Sequence, residues 1–227
     1  MQPEVIRVPL SDTSADETTA TRYRPSPSPL PPMRIVLAHG AGAGQRHPFI
    51  VNVARQIAAR GTEVVTFDFP YMHRGRKAPD APAALEQCFR RVIHTAREAN
   101  HDERPVFIGG KSMGGRIATH LAAQGDSIAG VFALGYPLHP PGKPAQQRSA
   151  HLPRVAVPVL IVQGERDTFG TPAELEPVLA AMTAPVTLET VSGGDHSLGA
   201  KGRSSDRLYD WLGALIVDWA TACLTRP

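Results

Sequence analysis

Short apolar runs alternate along the chain with longer segments in which apolar residues recur at helical spacing. The runs that predict buried strands are Arg34–Ala38, Glu63–Phe67, Val106–Ile108, Ile128–Leu134, Val157–Val162 and Val186–Val191. The segments that predict helices are Pro48–Arg60, Ala83–Asn100, Arg116–Ala123, Ala173–Met182 and Ser204–Leu224. Apolar strands that alternate with helices indicate right-handed βαβ units. We therefore predict an α/β fold whose mostly parallel sheet is covered by helices on both faces.

The first 33 residues have a different pattern from the rest of the chain. Glu4–Leu10 predicts a strand at the edge of the sheet, and Thr19–Arg24 predicts a second short edge strand. Residues 11–32 are polar and then rich in proline, which favours an extended and poorly packed segment. No repeat or second domain is visible, so we predict an N-terminal segment over residues 1–33 and one core domain over residues 34–227.

Two long loops separate predicted elements. Asp68–Asp80 follows a strand and is interpreted as a long polar loop. Gly135–Val155 is rich in proline and also follows a strand. Because functional loops gather beyond strand ends, we expect this second loop to form a mobile rim over a substrate pocket.

The composition bounds the classes of function. The chain has 227 residues, of which 42% are hydrophobic and 20% charged, as in a globular protein with one sizeable core. Its net charge of +3 is too small and dispersed to predict a nucleic-acid partner. Cys88 and Cys223 have neither zinc-site nor redox-motif spacing. The N-terminus has no apolar signal core and no apolar run can span a bilayer, so we expect a cytoplasmic location and no membrane partner.

One motif follows a predicted strand directly and opens a predicted helix. Gly110-Lys111-Ser112-Met113-Gly114 matches G-x-S-x-G, in which a sharp turn raises the serine hydroxyl above the sheet. The competing interpretations are a glycine-rich turn with a solvated serine and a phosphate-binding loop ending in Gly-Lys-Ser. A phosphate-binding loop would place its first glycine near Arg104 or Pro105, inside the predicted strand, so we favour the nucleophile elbow.

A nucleophilic serine needs a base within hydrogen-bond reach, and the base needs an acceptor that orients it. Among nine histidines the best candidate is His196, in a glycine-rich loop after the last predicted strand. Asp167 follows the preceding strand and lies between Ser112 and His196 in the chain, which is the order Ser…Asp…His. The weaker candidates for the acid are Asp195, which is interpreted as loop-shaping, Glu165, and Asp68, which breaks the order.

Backbone N–H groups commonly stabilise the oxyanion of acyl transfer. We predict that Met113 and Ala41 supply them, because Met113 opens the elbow helix and Ala41 lies in the glycine-rich loop after the first core strand. His39 and Gly40 begin that loop and are placed in the substrate-binding region, and His39 is also expected to support the loop's shape.

Several side chains near these positions are candidates for substrate selection. Lys111 adjoins the serine, and Arg76 lies in the polar loop with Arg74 and Lys77. One hypothesis is that one of these cations binds a carboxylate or phosphate of the substrate. The alternative, which explains the basic residues equally well, is a solvated basic loop that pairs with Asp80 or Glu86. Tyr136 is the candidate from the proline-rich rim.

From about Arg34 to the C-terminus the chain resembles the α/β-hydrolase superfamily. It is most similar to small dienelactone-hydrolase-like proteins through Phe69-Pro70-Tyr71, the stretch Gly75 to Asp80, the elbow from Gly110 to Arg116 and Gly193-Gly194-Asp195-His196-Ser197. The resemblance implies an eight-stranded type of sheet and a serine nucleophile. Dienelactone hydrolases themselves use cysteine, so Ser112 does not predict dienelactone activity. The same group is similar to a eukaryotic subunit of a chromatin acetylation complex.

We therefore expect a single-domain α/β-hydrolase fold without a cap domain. The predicted function is a serine hydrolase that cleaves a small ester or thioester through an acyl-enzyme, with a small-molecule substrate and with neither a metal nor an organic cofactor. Two alternatives stay open: a non-catalytic interaction module on the same fold, and a hydrolase of a lactone, peptide or C–C bond. The oligomeric state is not predicted.

Overall fold

The computed structural model describes residues 3–11, 16–28, 30–98 and 103–225, and eight strands within them form one sheet. The strands are β1 (Glu4–Pro9), β2 (Glu17–Tyr23), β3 (Arg34–Ala38), β4 (Glu63–Phe67), β5 (Val106–Lys111), β6 (Gly130–Leu134), β7 (Val159–Gly164) and β8 (Val186–Val191). Their order in the sheet is β1-β2-β4-β3-β5-β6-β7-β8. The pairs β1·β2 and β2·β4 are antiparallel, and the other neighbours are parallel.

Helices cover both faces of this sheet. They are α1 (Pro48–Ala59), α2 (Pro70–His73), α3 (Pro82–Glu98), α4 (Met113–Ala123), α5 (Pro172–Leu179) and α6 (Ser205–Thr225), with a short 3-10 helix at Leu152–Arg154. Alternate residues of β3 point to opposite faces: Val36 packs with the α3 and α4 side, whereas Leu37 packs with the α1 and α6 side. The predicted single-domain α/β architecture with a mostly parallel, doubly covered sheet is confirmed, and no domain is inserted into its described residues.

The N-terminal strands are better integrated than the sequence pattern predicts. Strand β2 is hydrogen-bonded to β1 on one side and to β4 on the other, so its expected position at the sheet edge is wrong. Thr18 and Ala20 are fully buried; as residues two apart in a strand they lie on one face, on which Ala20 packs into the core with side chains of α3. Residues 1–2, 12–15 and 29 of this segment lie outside the described residues, as do residues 99 and 100 of the predicted helix Ala83–Asn100.

The two long loops are anchored by buried aromatic and aliphatic side chains. The segment after β4 is not polar throughout, since Phe69 and Tyr71 are fully buried and Pro70–His73 forms a helical turn. In the loop after β6, Tyr136 and Leu138 are likewise fully buried. No helix in the described ranges is both long and apolar enough to cross a bilayer.

Candidate active site

Three of the predicted site residues lie just beyond the carboxyl ends of parallel strands. Ser112 follows β5, Asp167 follows β7, and His196 lies in the loop after β8. Strands β5, β6, β7 and β8 are consecutive neighbours in the sheet, so their carboxyl ends share one edge. This edge is where the loops of an open parallel sheet form a ligand crevice.

Ser112 adopts the strained backbone that a nucleophile elbow requires. Its φ of 50° and ψ of −114° lie outside the regions that non-glycine residues prefer, and its N–H donates to the Leu134 carbonyl at 3.0 Å. The turn depends on close backbone approach, because a methyl group at Gly114 would lie 2.5 Å from the His39 carbonyl oxygen. The sharp turn leaves the serine side chain beyond the end of the strand.

A continuous hydrogen-bond chain joins the three side chains. Oγ of Ser112 lies 2.8 Å from Nε2 of His196, and Nδ1 of His196 lies 2.8 Å from Oδ2 of Asp167. The ring of Phe169 packs on the imidazole, with centroids 4.2 Å apart and planes tilted by 30°. On the other side, Nζ of Lys111 donates to the His196 carbonyl and holds that loop residue against the end of β5. A hydroxyl, an imidazole and a carboxylate in this order can carry out general-base activation of the hydroxyl.

Asp167 is 1% exposed, and hydrogen-bond donors hold its carboxylate in place. Oδ1 accepts from the N–H of Phe169 at 2.8 Å, and Oδ2 accepts from Nε2 of Gln163 at 2.9 Å. Sequence reasoning missed Gln163, because a glutamine at the end of an apolar strand carries no motif.

The other carboxylates considered for this role are used elsewhere. Oδ1 of Asp195 accepts from the N–H groups of Ser197 and Gly199 and shapes its own loop, as expected. Glu165 accepts from the N–H of Gly193, and Asp68 accepts from the N–H of Gln45.

His39 is buried beneath the loop after β3 and supports that loop, and its side chain does not line the cleft. It is fully buried, its Nε2 accepts from the N–H of Phe69 at 3.0 Å, and its Nδ1 lies 2.7 Å from the Gly40 carbonyl oxygen. Burial lowers its pKa below the ordinary 6.5 and favours the neutral ring, in which Nδ1–H donates to that oxygen. The predicted support of the loop is therefore observed, whereas the predicted substrate contact is corrected.

This contact determines how the next peptide group is oriented. The carbonyl of Gly40 and the N–H of Ala41 belong to one planar trans peptide and point in opposite directions. Since the carbonyl is directed at buried His39, the N–H is directed away from it, towards the cleft side of the loop. The hydroxyl of Tyr71 donates to the Ala41 carbonyl at 2.9 Å and secures the following peptide as well.

The two predicted oxyanion donors flank Ser112. Ala41 and Met113 both line the cleft above the serine, and Gly40 lies beside Ser112, since a methyl group at Gly40 would be in van der Waals contact with Cβ of Ser112 at 3.6 Å. Neither backbone N–H donates a hydrogen bond to another of the described residues. Two unpaired donors beside a nucleophile are able to bind an oxyanion.

The cleft has a volume of about 660 Å³, within the usual range for small-molecule sites. Of the predicted substrate-binding residues, Gly40 and Lys111 line it. Arg76 does not line it, since its exposed guanidinium pairs with Asp80 from outside the cleft, and Tyr136 lies fully buried beneath the rim. Two arginines that sequence reasoning did not single out, Arg116 and Arg148, line the cleft instead.

Burial changes the protonation of Lys111. Desolvation lowers the pKa of its amine from 10.5 to about 8, and the charges of Asp167 and Asp195 offset part of that effect. In the part of the chain that the structure describes, no cluster of three His, Cys, Asp or Glu side chains is arranged to hold a metal.

The chain matches known proteins over most of its length. Residues 31–221 match a family model described as an alpha/beta hydrolase domain. The fold is similar to that of a dienelactone hydrolase from Anabaena variabilis, with 17% identity, a TM-score of 0.75 and 96% of each chain covered. It is also similar to an α/β serine hydrolase without a lid from Xanthomonas campestris, with 18% identity, a TM-score of 0.75 and coverage of 96% of this chain and 95% of that one. At these identities the similarity to solved structures shows a shared fold.

Proposed function

The chain belongs to the alpha/beta hydrolase family, and from that premise we propose that it is a serine hydrolase that cleaves a small ester or thioester through an acyl-enzyme. The observation that carries the proposal is the unbroken chain of 2.8 Å contacts from Asp167 through His196 to Ser112. A cleft of about 660 Å³ above the serine supports a small-molecule substrate. The cytoplasmic location stays a prediction.

The acylation step begins at Oγ of Ser112. Nε2 of His196 takes the hydroxyl proton as Oγ attacks the substrate carbonyl, and a tetrahedral oxyanion forms. The N–H groups of Met113 and Ala41 stabilise that oxyanion. His196 then gives the proton to the departing alkoxide or thiolate, and the acyl group stays on Ser112.

Deacylation repeats the same proton transfers with water. His196 removes a proton from water, the resulting hydroxide attacks the acyl carbonyl, and the proton returns to Oγ of Ser112 as the carboxylic acid leaves. Asp167 keeps the proton of the neutral imidazole on Nδ1 and stabilises the imidazolium during both steps. Its burial and its bonds from Phe169 and Gln163 suit this role, because they hold the acceptor still.

The test is labelling of the purified protein by a fluorophosphonate probe, together with hydrolysis of a panel of 4-nitrophenyl esters and acyl thioesters. Ser112→Ala should abolish labelling and lower kcat/KM by about 10⁴-fold or more. Asp167→Asn should lower kcat by about 10³- to 10⁴-fold, because the amide favours the wrong imidazole tautomer. Asp195→Asn is the matched control, since an amide oxygen can still accept the hydrogen bonds from the two loop N–H groups. This substitution should lower kcat by less than tenfold.

Absence of labelling in folded wild-type protein would reject the proposal and favour a non-catalytic interaction module. Labelling at Ser112 with no turnover of esters or thioesters would reject the substrate class, and lactones or peptides would be the next substrates to assay.

A further inference from the structure

Arg116 lies one helical turn after Ser112 on the cleft side of α4. Its N–H donates to the Ser112 carbonyl at 3.0 Å, and four residues of helix separate the two Cα atoms by about 6 Å. Its side chain lines the same cleft as the serine hydroxyl. A guanidinium in this position is within reach of a group a few bonds from the carbonyl that Ser112 attacks.

The Arg116 guanidinium has no acidic partner among the described residues. Its Nε is buried without a hydrogen bond, and its Nη1 lies 3.4 Å from Nε2 of His120. His120 in turn holds Glu86 through Nδ1 at 2.8 Å, so the nearby carboxylate is already used. Leaving a buried guanidinium donor unsatisfied is unfavourable, and a bound anion would relieve that cost.

Arg148 brings a second positive charge to the cleft from the loop after β6. Its backbone is fixed at two points, since its carbonyl accepts from the Tyr136 hydroxyl at 2.7 Å and its N–H donates to the Leu138 carbonyl at 2.7 Å. The half-buried side chain lines the cleft and forms no ion pair within the described ranges. Buried Tyr136 thus acts as the anchor of this arginine.

The two arginines affect each other electrostatically. Burial is the main cause that lowers the pKa of Arg116, and the positive charge of Arg148 lowers it further. Two like charges that face one partly desolvated cleft are unfavourable until an opposite charge enters.

The rest of the lining supplies one negative charge. Asp80 is the one acidic residue among the described residues that line the cleft; its Oδ1 is paired with Arg76 and its Oδ2 is buried without a hydrogen bond, so it offsets at most one of the positive charges. Lys111 adds a further amine on the serine side. The uncompensated charge of the cleft is therefore positive.

We propose that Arg116 and Arg148 form an anion subsite that selects small esters or thioesters carrying a carboxylate a few bonds from the scissile carbonyl. The inference rests on the proposed hydrolase function and adds its substrate class. The carboxylate belongs to either the acyl group or the leaving group, and both give the same recognition chemistry. Arginine forks suit this role because they bind carboxylates through two parallel hydrogen bonds.

The experiment compares matched anionic and neutral substrates. For the acyl side the pair is 4-nitrophenyl hydrogen glutarate and its methyl ester, and for the leaving-group side it is 4-butanoyloxybenzoate and its methyl ester. Wild-type kcat/KM should favour the anionic member of at least one pair by about tenfold or more. Arg116→Gln and, separately, Arg148→Gln should each reduce that preference by about tenfold, by slowing the anionic substrate far more than the neutral one.

Arg154→Gln is the control, because it removes the same charge from an exposed position on the 3-10 helix. It should leave the preference unchanged. No preference in the wild type, or a preference that persists in both cleft variants or falls equally in Arg154→Gln, would overturn the subsite.

A second measurement covers the case in which Ser112 is labelled by fluorophosphonate but neither pair is hydrolysed. Monomethyl glutarate should then slow labelling of the wild type more than dimethyl glutarate does, and the difference should disappear in Arg116→Gln. Equal protection by the two would overturn the subsite. Absence of any Ser112 labelling is a separate result, which rejects the proposed function itself.

Discussion

Nε2 of Gln163 donates to Oδ2 of Asp167 at 2.9 Å, the same oxygen that faces Nδ1 of His196. The amide is fully buried at the end of β7 and also binds neighbouring backbone. Its Oε1 accepts from the N–H of Tyr136 at 2.7 Å, and its Nε2 lies 2.6 Å from the Gly170 carbonyl oxygen. One side chain therefore joins the end of β6, the Asp167 loop and the carboxylate itself.

We predict that Gln163→Leu lowers both stability and activity. A leucine of similar size fills the space but leaves the Tyr136 N–H and the Gly170 carbonyl without partners, which should lower the free energy of unfolding by about 2–4 kcal/mol. The released carboxylate should lower kcat by about tenfold or more with a smaller change in KM. Urea unfolding and ester kinetics on the folded fraction measure the two effects. Exposed Gln146→Leu serves as the control, and an unchanged kcat in Gln163→Leu would show that Asp167 does not depend on this amide.

His39→Leu should affect the reaction without removing any group that contacts substrate. Leucine cannot donate to the Gly40 carbonyl, which keeps only the longer bond from the Ala43 N–H at 3.5 Å, so the peptide that directs the Ala41 N–H towards the cleft is held less firmly. We expect kcat to fall by about 10²-fold, as for the loss of one oxyanion donor, while KM changes little. Steady-state kinetics on a 4-nitrophenyl ester check this, with exposed His94→Leu alongside. A rise in KM at constant kcat would instead indicate a substrate contact.

Lys111 should make stability depend on pH in a defined window. Burial lowers the pKa of its amine from 10.5 to about 8. Below about pH 8 the amine is charged in the folded and unfolded states, so the desolvation penalty is fully present; above 10.5 it is neutral in both, and the penalty is absent. The unfolding free energy of the wild type relative to Lys111→Met should therefore rise between pH 8 and 10.5, by on the order of 3 kcal/mol.

Chemical denaturation of both proteins across that window measures the difference. Lys143→Met, at an exposed position, should show no comparable rise. A flat or falling difference for Lys111→Met would mean that the amine is solvated in the folded protein.

The amino-acid pattern was sufficient to predict the order of the elements and the edge of the sheet at which the candidate catalytic residues lie. Short apolar runs, set between segments of helical period, predicted the strands Arg34–Ala38, Glu63–Phe67 and Val186–Val191 with the bounds that the structure has. Because parallel strands end at one edge, residues just after them had to lie near one another, and Ser112, Asp167 and His196 do so. These features can be predicted from the sequence because each depends on a few residues that are neighbours in the chain.

Which side chains face the cleft could not be predicted from the sequence and became clear only from the three-dimensional structure. Arg76 and Tyr136 were expected there, yet one is paired at the surface and the other is buried beneath the rim, whereas Arg116 and Arg148 line the cleft. The direction of a loop side chain depends on packing partners from distant segments, such as the Leu138 and Tyr136 contacts that hold the Arg148 backbone. Contacts with such distant partners produce no periodic pattern of apolar and polar residues in the sequence. Their effect on side-chain direction is therefore seen only in the folded structure.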